Sequence, residues 1–123
     1  MSEYLIVTNN PVVIDEFDHV VFATGNFEDV MIKVRDLVHQ GFELISHPIG
    51  ASIRMIYSPY RSVLLGQKQE DVNFYHIEAV ENSILNYRKL MSGRKIDSKN
   101  AGDYAQIDIE LLKSALNEDM QYK

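Results

Sequence analysis

Cysteine and tryptophan are both absent from this 123-residue sequence. Without cysteine there is no disulfide, thiol nucleophile, thiolate zinc site or cysteine-held iron–sulfur cluster. Any redox role would have to be indirect or use a borrowed cofactor, and the sequence names none. No apolar run approaches the roughly 20 residues that span a bilayer. The first residues also lack the basic and apolar regions of a signal peptide. A cytoplasmic chain without a membrane partner is therefore expected. Positive charge is in deficit: 12 Lys and Arg stand against 18 Asp and Glu, for a net charge of −6. Such a chain is repelled by polyphosphate, so no nucleic-acid partner is expected. The basic residues Arg88, Lys89, Arg94, Lys95 and Lys99 read as a solvated helix end, where cations suit the dipole.

Glycine-rich phosphate motifs are missing too. There is no Gly-x-Gly-x-x-Gly and no Gly-Lys-Ser/Thr, and Glu28 and Asp29 after Gly25 would oppose a phosphate at that helix start. A Gly-x-Ser-x-Gly elbow is lacking, with Gly50-Ala51-Ser52 only a faint echo. His19, His39, His47 and His76 have no ligand-like spacing, so no metal site is expected.

What is present has room for one hydrophobic core and is expected to form a single domain over residues 1–123. Residues 4–8 and 19–24 are short β-branched apolar runs without alternation, as in strands buried on both faces. Between them Asn10 can cap a short helix with Pro11 at its first position. A second helix follows Asn26, with Val30, Val34, Leu37 and Val38 as its apolar stripe and Gly41 as a left-handed cap. Residues 42–46 and 62–65 read as further strands, the latter closed by Gly66. Helical spacing returns from Val72 through Tyr75, His76, Ala79, Val80, Ile84 and Tyr87 to Met91. Residues 95–102 read as a polar linker. Asp103 or Asp108 then caps a last helix whose face is Ile109, Leu112, Ala115 and Leu116, with Leu111 at its border. The order predicts an α/β fold: a largely parallel, Rossmann-like four-stranded sheet with flanking helices and C-terminal helices.

In such a sheet ligands gather at the carboxyl ends of the strands. Asn9 and Asn10 should lie there, with residues 24–26 and the loop that begins at His47. Residues 47–66 hold two of the three prolines, two arginines, a histidine and three serines. Arg54 and Arg61 offer planar forks for carboxylate or phosphate, and Ser52, Ser58 and Ser62 could add hydroxyls. The competing expectation is that the arginines pair with Glu43 or Asp71. His47, extended by the proline after it, is a candidate acid, base or donor. The candidate ligand-binding set is thus Asn9, Asn10, His47, Ser52, Arg54, Arg61 and Ser62, with no catalytic residue assigned.

Several stretches together resemble the GrdX family. They are Leu5-Ile6-Val7-Thr8-Asn9-Asn10-Pro11, the helix of residues 27–41, His47-Pro48 followed by Ser52-Ile53, and Ser58-Pro59-Tyr60-Arg61-Ser62. Ile107-Asp108 leading into Glu110-Leu111-Leu112-Lys113-Ser114-Ala115-Leu116 completes the set. The resemblance implies an accessory role beside glycine, sarcosine and betaine reductase systems of anaerobic amino-acid fermentation, and it brings no catalytic residues. It also implies a more polar turn than Ser52-Ile53-Arg54-Met55-Ile56-Tyr57, so part of this loop is expected to be buried, against another protomer.

Three functions are consistent with these features. The first is an accessory or regulatory protein, partnered by reductase components, that binds a small anionic ligand through residues 47–62. The second is a small enzyme on a phosphorylated or carboxylated metabolite, with His47 as acid/base and Arg61 as anchor. The third is a homodimeric interaction module.

Overall fold

The computed structural model describes residues 4–50 and 53–121, with no account of the side chains at 53, 54, 120 and 121. The chain runs β1 (Leu5–Thr8), α1 (Pro11–Glu16), β2 (Val20–Phe22), α2 (Phe27–His39) and β3 (Phe42–Leu44). A 3-10 turn at Ile53–Tyr57 leads to β4 (Ser62–Lys68), α3 (Phe74–Met91), a second 3-10 turn at Ser98–Asn100 and α4 (Ala101–Gln121).

Local chemistry sets several boundaries. Asn10 caps α1, its side-chain oxygen accepting from Val12 N at 3.1 Å, with Pro11 in the first turn. Asn26 and Asp29 close a reciprocal capping box on α2. Gly41 follows α2 at φ +108°, a left-handed conformation that a side chain would strain. Two expected boundaries move. Gly66 does not end β4, which continues to Lys68. The expected polar linker is shorter, because α4 already begins at Ala101 and Asp108 lies inside it rather than at its cap.

The four strands form one sheet in the order β2-β1-β4-β3. Only β1 and β2 are parallel; β4 is antiparallel to both β1 and β3. The sheet is therefore mixed, which corrects the expected largely parallel, Rossmann-like arrangement. The cause is the connection from β3 to β4. Among its described residues it holds only the short 3-10 turn at Ile53–Tyr57 rather than a crossover α-helix, and it turns back so that β4 slots between β1 and β3 in the opposite direction. Burial on both faces, which made the strand runs look parallel, follows equally from helices covering both sides.

One face packs Val7, Val63 and Leu65 against α2 and α3, through Phe27, Val30, Met31, Val34, Val80, Ile84 and Tyr87. Phe27 and Tyr87 stack with ring centroids 4.7 Å apart. The other face packs Ile6 and Leu64 against Val13 of α1 and Ile109 and Leu112 of α4. Tyr75, expected on the apolar stripe of α3, is instead 86% exposed. The apolar Met55 and Ile56 are buried at 5% and 0% exposure, with Ile56 in the chain's own core on the α2–α3 side. Their burial needs no second protomer. β3 is a bulged edge strand, and its Leu44 amide donates to His76 Nδ1 of α3 at 3.1 Å, which occupies a donor that would otherwise invite another strand.

Candidate functional site

Because β4 runs against the other three strands, its N-terminus meets the C-termini of β1, β2 and β3 at one edge of the sheet. The expected convergence of segments therefore holds, although the parallel sheet invoked for it does not. Asn9 sits at the centre of that edge. Its amide donates to Gly25 O at 2.9 Å and Pro59 O at 2.8 Å, and its oxygen accepts from Arg61 N at 2.9 Å. One buried amide thus ties the segments after β1, after β2 and before β4.

Asn10 is fully buried. Besides capping α1 it donates to Ala105 O at 2.9 Å and to Asp108 Oδ2 at 3.0 Å, both on α4. Asp108 also accepts from Ser62 N at 2.8 Å and from Ser62 Oγ at 2.7 Å. Since a carboxylate only accepts, the Ser62 hydroxyl is committed as donor. The Thr8 hydroxyl, 2.7 Å from Ser62 Oγ, then donates to Ser62 while accepting from Asn10 N at 2.9 Å. The result is a directed chain from Asn10 N through Thr8 and Ser62 to Asp108, with each polarised group strengthening the next. Sequence reasoning treated Asp108 only as a candidate helix cap. The one available hint was its place as a lone acid among Ile107, Ile109 and Leu112.

Arg61 is 5% exposed. It pairs with neither Glu43 nor Asp71. Its Nε donates to Pro48 O at 2.7 Å and its Nη2 to His47 O. Gly50 makes this possible: at φ +85° it turns the chain over the guanidinium, where an added Cβ would come within 3.3 Å of Nη2. Burial pulls the Arg61 pKa below its ordinary value, while the Asp108 carboxylate pushes it back up. Arginine stays charged regardless. Among the described residues no carboxylate lies within ion-pair distance of it. His47 Nδ1 accepts from Ile49 N at 3.2 Å, which places the neutral ring's proton on Nε2. Partial burial, and then the Arg61 charge, lower the His47 pKa below its usual 6.5.

His47, Arg61 and Ser62 line a cleft of about 530 Å³ between the loop after β3 and the C-terminal half of α4. Ile45, Ser46 and Gly50 form its loop wall, and Leu111, Leu112, Ala115 and Glu118 belong to its helix wall. Asn9 and Asn10 are not among the lining residues. Ser52 lies outside the described residues, as does the side chain of Arg54. Among the described residues no group of three or more His, Asp or Glu is arranged to hold a metal ion. No helix among them is long and apolar enough to cross a membrane.

The family model described as GrdX-like protein matches residues 5–117. The chain belongs to the GrdX-like family. The match takes in the strand edge, the Asn10–Asp108 chain, Arg61 and all of the cleft named above except Glu118. No curated protein and no solved structure matches. This GrdX-like chain has a mainly apolar cleft lined in part by one buried cation, Arg61, a form common to small-ligand sites.

Proposed function

We propose that this GrdX-like protein is an accessory or regulatory component of a glycine- or betaine-reductase-type fermentation system, and that it binds a small anionic ligand at the cleft with Arg61 as anchor. Family membership supports the setting. The ligand rests on a single observation: the buried Arg61 lines a cleft and has no described carboxylate in ion-pair reach. A buried charge is costly unless something compensates it, and an anion in the cleft would do so. An accessory role also fits the hydrogen bonds, since the Ser62 hydroxyl is committed to Asp108.

The enzyme reading draws support from one feature, the presence of His47 and Arg61 on the same cleft. A homodimer would use exposed apolar groups of α3 such as Leu85, 63% exposed, and light scattering would test it.

The ligand proposal is tested by calorimetric titration of acetate, phosphate, glycine and betaine into the wild type and Arg61→Lys. Lysine keeps the charge but loses the fork, so binding by wild type that weakens in the variant is the expected result. Absence of binding by all four to a folded wild type would overturn it. Turnover of a phosphate or carboxylate ester that stops in His47→Gln would favour the enzyme.

A further inference from the structure

Charges of both signs line the cleft: Arg61 just before the start of β4, and Glu118 and Asp119 in the last turn of α4. Helix C-termini carry partial negative charge from unpaired carbonyls, so Glu118 there is in an unfavourable place and attracts a cation. The last turn of α4 has no basic residue. The same cleft is lined by the apolar side chains of Ile45, Leu111, Leu112 and Ala115. Glu118 lies just past the residues that the family model matches, 5–117.

We propose that the cleft binds a small zwitterion, its carboxylate on the Arg61 guanidinium, its short apolar body against Leu111 and Leu112, and its ammonium at the Glu118 carboxylate. This rests on the reading of Arg61 as an anion anchor and adds to it the choice of ligand class. A bare anion satisfies only one pole and brings negative charge toward Glu118. A cation alone faces Arg61. A zwitterion of matching length satisfies both, and its two charges offset each other within the low-dielectric cleft.

The test is calorimetric titration of the full chain with straight-chain ω-amino acids of increasing length, each compared with the carboxylic acid and the amine of equal length. At one chain length the amino acid should bind about three- to tenfold more tightly than its acid, the span of one partly exposed charge contact. Glu118 is exposed, so Glu118→Gln should fold normally. It should abolish that advantage and leave acid binding unchanged or improved. Acids binding as well as amino acids at every length, or an advantage that survives Glu118→Gln, would overturn the zwitterion while leaving the anion site intact. If neither acids nor amino acids bind, both readings fail. Because Arg61 is buried, its role is probed by Arg61→Lys with circular dichroism as a check of folding. Loss of acid and amino-acid affinity together in a folded variant is the expected result, and unchanged affinity would overturn the assignment of the carboxylate to Arg61.

Discussion

Replacing Asp108 by alanine should cost more than any other single polar change in the described chain. The carboxylate is fully buried and accepts three hydrogen bonds, from Ser62 N, Ser62 Oγ and Asn10 Nδ2. Hydrogen bonds to a charged group contribute about 1.5–3 kcal/mol each, but they share one acceptor group and do not add fully. Alanine also strands a buried main-chain N–H and a buried amide. A loss of about 3–5 kcal/mol follows, the range for breaking a buried charged contact. Against a total of about 5–15 kcal/mol this is a large share. Asp108→Asn keeps the shape and one acceptor oxygen but turns an NH2 toward the Asn10 amide, for a smaller cost of about 1–3 kcal/mol. Urea unfolding followed by far-ultraviolet circular dichroism measures both, since the chain has no tryptophan to report by fluorescence. In a double-mutant cycle, Asn10→Ala and Asp108→Ala should couple by about 1 kcal/mol. A loss below about 1 kcal/mol in Asp108→Ala, or strict additivity with Asn10→Ala, would refute the picture of a sealed, directed network.

Three further outcomes are expected. Gly41→Ala should destabilise by more than the roughly 1–2 kcal/mol of a forced left-handed residue, because the new Cβ would lie 2.8 Å from Gln69 O; the urea midpoint reads this. Burial, and then Glu28, push the Tyr87 phenol up to about 12 from 10, so the unfolded chain ionises first and stability falls as pH rises from 10 toward 12. Tyr87→Phe should remove that part of the alkaline loss in pH-dependent melts. His47 has a lowered pKa in the fold, so the unfolded chain takes up its proton first and stability falls as pH drops through 6.5; His47→Gln should flatten the melting temperature over that window, and an unchanged slope would count against it.

The features legible in the sequence were those whose cause lies within a few residues. Asn10 and Asn26 announce caps, and Gly41 announces a left-handed turn, because donor, acceptor and backbone constraint are all local. The strands were legible as elements and misread as a sheet, since an apolar run carries no sign of its direction. Asp108 was misplaced for a related reason. An acid near a helix start looks like a cap, and nothing nearby says that its partners are Ser62 and Asn10, 46 and 98 positions away. Arg61 stood out in the sequence as a candidate anion anchor, but its direct partners are main-chain carbonyls of residues 47 and 48, which every residue possesses and no sequence marks. His47 and Arg61 do share a wall, whereas its opposite side, from Leu111 to Glu118, could not be foreseen without knowing where α4 lies.

The reversed direction of β4 has a consequence in time. Residues 61 and 62 take their places at the strand edge beside β1, but the wall that faces them comes from residues 111–119, and the buried contact holding that wall joins positions 10 and 108. During synthesis the strands, α2 and α3 are all made before α4, and the cleft cannot close without it. A nascent or prematurely stopped chain would own the arginine without the pocket, leaving its cation to water and to whatever counter-ion is nearby. The cleft is therefore the last feature of this protein to be completed, and the proposed ligand binding, assayed on stalled chains, would mark the moment at which α4 docks.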